Sequence, residues 1–221
     1  MVNFPNHLLP DSVQWVAHLC AVLLLLGLLR RAPWRVLQQP GMLNLWLGAS
    51  VTLMALWSIK TGIRPGLNFH LLGATALTLM FGPRLALLAL AGVVAGITAA
   101  GHAGWQAYSL NWMLMGALPV AVSYAVFRFV DGRLTNHLFV YVFLNAFFGA
   151  ALAIAATGLA ASLLLGLMAI YPFAYLSHYY LPYYVFMGWS EALTTGMLLT
   201  LMVVYRPHWV GTFDDARYLN K

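Results

Sequence analysis

From residue 11 to residue 205 the chain is a succession of long apolar stretches, nearly free of charge and joined by short polar or proline-containing links. About 20 apolar residues in a helix cross the ~30 Å hydrocarbon layer of a bilayer, so stretches of this length predict an all-α, polytopic integral membrane protein. Charged residues make up only 7% of the 221, against about a quarter in soluble domains, and hydrophobic residues make up 62%. Nothing of useful size is left for a separate soluble domain. Residues 1–221 therefore read as a single integral membrane domain, with 206–221 as a short cytoplasmic tail.

Hydrophobic length places helices at about 12–31, 42–61, 109–130 and 183–205. Residues 69–100 are apolar throughout but interrupted by Gly82, Pro83 and Arg84, which predicts two shorter spans and a tight turn. Residues 138–170 exceed a single span and read as one strongly tilted helix or as a helix followed by an outer half-segment. The count is about seven spans. The first apolar run is followed by Arg30, Arg31 and Arg35 and lacks the layout of a cleaved signal, so it reads as a retained helix. With the N-terminus outside, Arg30, Arg31, Arg35, Arg84, Arg128, Arg133, Arg206, Arg217 and Lys221 fall inside, and only Lys60 and Arg64 fall outside. Such a bias is the ordinary topological signal. It accounts for the net charge of +6 through membrane lipid and not nucleic acid. Cys20 is the single cysteine, so neither an internal disulfide nor a cysteine metal cluster is expected.

Polar residues collect toward the outer half. His70 stands at the start of a span with Asn68 two places before it, while His102 and Asn111 bracket the loop GHAGWQAYSLN. A buried imidazole needs a hydrogen-bond partner or a ligand, and for each histidine alone the plain reading is a satisfied interfacial side chain. Glu191 is the only acidic residue well inside an apolar span. It either bonds a neighbouring helix or faces a functional cavity, with Thr194 and Thr195 serving either reading. Met113, Met115 and Met187 would suit a soft ion, although ordinary apolar filling is the simpler account. The phosphate-cradling glycine loop, the HExxH zinc helix and the GxSxG nucleophile turn are all missing from the sequence. A carrier or receptor is expected, without enzymatic activity and without a resident cofactor.

Three motifs resemble the CbiM/NikM family, the cobalt and nickel substrate-binding membrane components of energy-coupling-factor transporters. HLLGATALTLMFGP at 70–83 has the family's spacing from histidine to Gly-Pro turn; HAGWQAYSLN runs from a loop histidine to an asparagine; EALTT at 191–195 resembles the family's glutamate followed four places later by threonine. The resemblance covers nearly the whole chain and implies seven spans with the N-terminus outside. It also implies that the opening peptide MVNFPNHLLP, uncharged and proline-stiffened, is threaded into the core over residues 1–11. After removal of Met1, the amine of Val2 and the next backbone nitrogen would join His70 around the ion. The family's second-position histidine is replaced by Asn3, a poor ligand for a transition ion. His7 and His102 are candidate helpers.

The resemblance implies uptake of Co²⁺ or Ni²⁺, with Cu or Zn as other ions to test. The implied partners are a transmembrane coupling protein and ATPase subunits, in a bacterial inner membrane. Two other readings stay open. One is a stand-alone carrier or receptor for another small solute, using Asn3, Asn111 and Glu191 as hydrogen-bonding groups. The other is a factor that delivers metal to a membrane enzyme.

Overall fold

The computed structural model describes residues 3–219. Helix α1 (Asp11–Arg31) is followed by the short α2 (Trp34–Leu37) and by α3 (Met42–Ser58). An antiparallel hairpin of β1 (Thr61–Arg64) and β2 (Leu67–Phe69) then leads through residues 70–73 into α4 (Ala74–Ala99). After it come α5 (Tyr108–Arg133), α6 (Leu138–Leu167), the short α7 (Phe173–Tyr179), α8 (Tyr183–Tyr205) and α9 (Asp215–Tyr218). Among the described residues five helices are long and apolar enough to cross a membrane, and α3 is a shorter apolar one. The hairpin at 61–69 is an addition to the all-helical expectation; its glycine turn and polar first strand carry no apolar run that would have marked it.

Helix α4 is not one rod. Gly82 has φ 76° and ψ 166°, outside the helical region. Gly73, just before the helix, packs against the side chain of Leu53, and Gly96, near its end, packs against the side chain of Met54. A straight helix would hold those two glycines about 35 Å apart, yet they meet adjacent residues of α3. The chain therefore doubles back at Gly82, giving a short arm (74–81) and a long arm (83–99). Pro83 has no N–H to lose at the start of a helix, which suits the first turn of the long arm. The tight turn read from 69–100 is thus present at Gly82, while the short arm, eight residues and about 12 Å long, does not have the length of a span.

The interior is organised around this fold-back. Every residue of the short arm is buried. Indole and phenol donors bond carbonyls on either side of it: Trp57 Nε1 to Leu72 O at 3.1 Å, Trp46 Nε1 to Leu85 O at 3.0 Å, Trp112 Nε1 to Leu87 O at 3.0 Å and Tyr108 Oη to Ala91 O at 3.0 Å. Broken helices survive at such depth only where other groups re-satisfy the freed backbone.

Two long helices carry π segments, Met113–Ala117 in α5 and Tyr141–Phe148 in α6. The first directly precedes Pro119, which cannot donate to the preceding turn. Helix α6 is 30 residues long, about 45 Å at the usual rise, so it must tilt within the bilayer. The stretch from 138 onward is thus one long helix followed by the separate α7.

Residues 3–9 lie at one end of the bundle, with Lys60 and the loop after α4; residues 207–218 lie at the other, with Arg31 and Arg84. Replacing Gly82 with alanine puts a side chain in a backbone region almost reserved for glycine, which costs about 1–3 kcal/mol. We expect a lower thermal unfolding midpoint in detergent for Gly82→Ala.

Candidate functional site

The peptide before α1 is packed as core. Phe4 is fully buried, and Asn3 is 3% exposed. The carboxamide of Asn111, on the first turn of α5, grips the peptide backbone at two points: Oδ1 accepts the Phe4 N–H at 2.9 Å, and Nδ2 donates to Phe4 O at 3.3 Å. The Gly104 amide donates to the same Phe4 oxygen at 3.1 Å, and the Gln106 amide donates to Asn6 Oδ1 at 3.2 Å. Gly104 is needed for this approach because a Cβ there would collide with Asn6. On the other side the ring of Phe4 and the side chain of Leu8 lie against Gly66 at the tip of the β-hairpin, where φ is +79°. The chain then turns outward at His7, with φ +62°, and Gln14 Nε2 catches Leu9 O at 2.8 Å as α1 begins.

His70 lies between β2 and the short arm and is 4% exposed. Its Nδ1 sits 2.9 Å from Leu71 O, so the proton must be on Nδ1 for that contact to be a hydrogen bond. Nε2 then presents a lone pair, and among the described residues it has no partner. Protonating Nε2 would bury an unpaired charge; neutral imidazole is the form that binds metal. Trp57 packs against the ring, with centroids 4.8 Å apart. The side chain of Asn3 is in the same condition as His70 Nε2: neither Oδ1 nor Nδ2 has a partner among the described residues. Buried polar atoms left open in this way call for a ligand, ion or water.

Glu191, from the middle of α8, does not reach toward either open group. Its Oε2 accepts the Leu72 N–H at 2.7 Å and its Oε1 accepts the Gly73 N–H at 2.6 Å. Those amides precede the short arm, and a carboxylate is stabilised at the positive end of a helix. Glu191 thus fixes the loop that carries His70. It also lines a cavity of about 400 Å³ between α3 and α8, with Thr52, Gly73, Leu77 and Thr194.

The other candidates lie elsewhere. His7 is exposed. His102 is half-buried, and its carbonyl accepts Lys60 Nζ at 2.6 Å; partial burial holds the Lys60 pKa below the ordinary lysine value. Asn68 lies across the hairpin toward Gly62 while its neighbours Leu67 and Phe69 point inward. Val2 is outside the described residues. Met115 is fully buried in apolar packing. Among the described residues no group of three or more His, Cys, Asp or Glu is placed to hold a metal ion. The sequence reading missed Trp57, whose position one helix away from His70 leaves no trace in spacing, and Gly66 and Gly104, whose lack of a side chain admits the peptide.

Residues 3–209 match the sequence model of a family described as the cobalt uptake substrate-specific transmembrane region, CbiM. No curated protein sequence matches the chain. Among solved structures, the crystal structure of a transition metal transporter superposes with a TM-score of 0.79 at 20% identity, covering 94% of this chain and 96% of that one. The crystal structure of a truncated transition metal transporter gives 0.78 at 20% identity, covering 93% and 99%. At that identity the likeness is one of fold.

Two substitutions probe these clamps. Asn111→Ala removes both bonds to Phe4, and we expect the Phe4 amide to exchange hydrogen about 10-fold faster or more by mass spectrometry. Glu191→Gln leaves an amide without its acceptor, so thermal unfolding in detergent should register a loss of about 1–3 kcal/mol.

Proposed function

The chain belongs to the CbiM family of cobalt-uptake substrate-specific transmembrane proteins, and on that footing we propose that it is the ion-capturing subunit of an energy-coupling-factor importer for Co²⁺ or Ni²⁺. The observation that carries the reading is the Nε2 of His70, buried with its lone pair unengaged beside a loop that Glu191 and Trp57 hold in place. Imidazole nitrogen suits both ions. The inserted peptide supplies the remaining donors: the Asn3 carboxamide, with both polar atoms unpartnered, and the backbone at residues 2–3, where Val2 lies outside the described part. The ion arrives from the end where the peptide is inserted, which is the outer face of a bacterial inner membrane.

Capture alone does not move an ion uphill. The sequence holds no nucleotide-binding motif, so the energy comes from ATPase subunits acting through a membrane coupling protein at the opposite end. Asn3 departs from the imidazole that the family resemblance calls for. Its oxygen is a harder and weaker donor for Co²⁺ and Ni²⁺, so this chain binds more weakly than an imidazole at position 3 would allow. The same carboxamide, with both polar atoms unpartnered among the described residues, favours a second reading, a carrier for a small solute that hydrogen-bonds to amides.

Calorimetric titration of the purified protein in detergent, with Co²⁺ and Ni²⁺ in turn, tests both. We expect one ion per chain, binding lost in His70→Ala, and binding strengthened by about 10-fold or more in Asn3→His, since an added imidazole donor contributes at least about 1.4 kcal/mol. A wild type that takes up none of Co²⁺, Ni²⁺, Cu²⁺ or Zn²⁺ leaves the solute-carrier reading in its place.

A further inference from the structure

The fold-back at Gly82 leaves the short arm of α4 with carbonyls that its own helix cannot bond. Leu79 O would be met four residues on by Pro83, which has no N–H. The donors come instead from the far end of the chain. Thr212 gives Leu79 O two hydrogen bonds, one from its amide at 3.1 Å and one from its hydroxyl at 2.7 Å. The Gly211 amide donates to Met80 O at 2.8 Å, an approach so close that a Cβ on Gly211 would crowd the same oxygen. Tyr141 Oη stands 2.7 Å from the Thr212 hydroxyl. Tyr141, Phe213 and Tyr218 pack ring against ring, with centroids 5.0–5.1 Å apart. The segment is tied down at its end by Asp131, which accepts from Tyr218 Oη at 2.8 Å and pairs with Arg217 at 2.8 Å.

The other end of the same arm begins at Gly73, three residues after His70, with the amides of Leu72 and Gly73 held by Glu191. The arm from the first grip to its end has eight helical residues, about 12 Å of rise, all buried among neighbouring helices, and Leu79 and Met80 near that end carry the second grip. A short helix packed on every side moves as a unit and does not bend.

We propose that residues 210–218 form a latch in which Thr212 is a positioning residue: by holding the short arm at the end away from the inserted peptide, it sets where the His70 imidazole stands, so that withdrawing the latch loosens the bound ion. The inference rests on the reading of His70 as the ion ligand and adds to it a mechanical route from one end of the bundle to the other. A subunit that engages residues 210–218 then acts on an ion it never touches.

Thr212→Val keeps the shape and removes the hydroxyl, and Thr212→Ser restores it. Each protein is loaded with Co²⁺ in detergent and mixed rapidly with excess EDTA, and the visible absorption of the bound ion is followed. We expect release about 10-fold faster in Thr212→Val and the wild-type rate in Thr212→Ser, with all three folded by near-ultraviolet circular dichroism. In parallel, amide exchange at Leu72 and Gly73 is measured without metal, and is expected to accelerate in Thr212→Val alone. Equal release from wild type and Thr212→Val, or a serine variant that releases as fast as the valine one, overturns the latch. If the wild type takes up no Co²⁺, the capture reading falls, and the exchange measurement decides the latch by itself: unchanged exchange at Leu72 and Gly73 overturns it.

Discussion

A carboxylate at membrane depth is among the most expensive groups a protein can carry, and so is a stretch of non-helical backbone. Glu191 and residues 70–73 are one of each, and each removes the other's cost. The two oxygens accept the Leu72 and Gly73 amides, which as the leading N–H groups of a helix have no partner within it. The arrangement starts the short arm of α4 in the middle of the bundle and fixes the loop on which His70 stands. Remove the carboxylate and the Leu72 and Gly73 amides lose their acceptors, which leaves the loop to the single Trp57 bond on Leu72 O.

The rest of the molecule is arranged around that broken helix. Its carbonyls are met by indoles from α3 and α5, and one end is met by the backbone of Gly211 and Thr212. The peptide at residues 3–6 is pinned by Asn111 and the loop after α4. The two ends of the described chain are therefore both tied into the bundle, the peptide by α5 and the loop after α4 and residues 211–212 by the short arm. The lipid-facing surfaces need no such specificity, which is why large apolar side chains such as Trp15, Leu23 and Val185 stand exposed on α1 and α8.

Much of this was legible in the sequence because membrane proteins write their spans in hydrophobic length. The interruption at Gly82 and Pro83 announced a fold-back, and the isolation of Glu191 in an apolar run marked it as consequential. That Glu191 bonds a neighbouring element was one of two open readings, but which groups it takes was not legible, since they are backbone amides more than a hundred positions away that almost any residue would supply. Asn111 shows the same limit: spacing marked it as a polar group near the site, while its role is to hold the main chain of Phe4. Histidines mislead in the other direction. His7, His70 and His102 look alike in the sequence, but His7 is exposed, His102 half-buried and His70 enclosed, because burial is decided by neighbours brought in from distant segments. The grip of Thr212 on Leu79 has no sequence signature beyond the missing N–H of Pro83.

The seating of Phe4 has a bearing on how the protein is made. Its hydrogen-bonding partner Asn111 lies 107 positions later, and Gly66 and Gly104, which leave room for it, also follow it in synthesis. Contacts of such long range form late. During insertion into the bilayer the residues around Phe4 must therefore wait, unhoused, until Asn111 has been delivered, and they take their place only when the helices behind them have gathered.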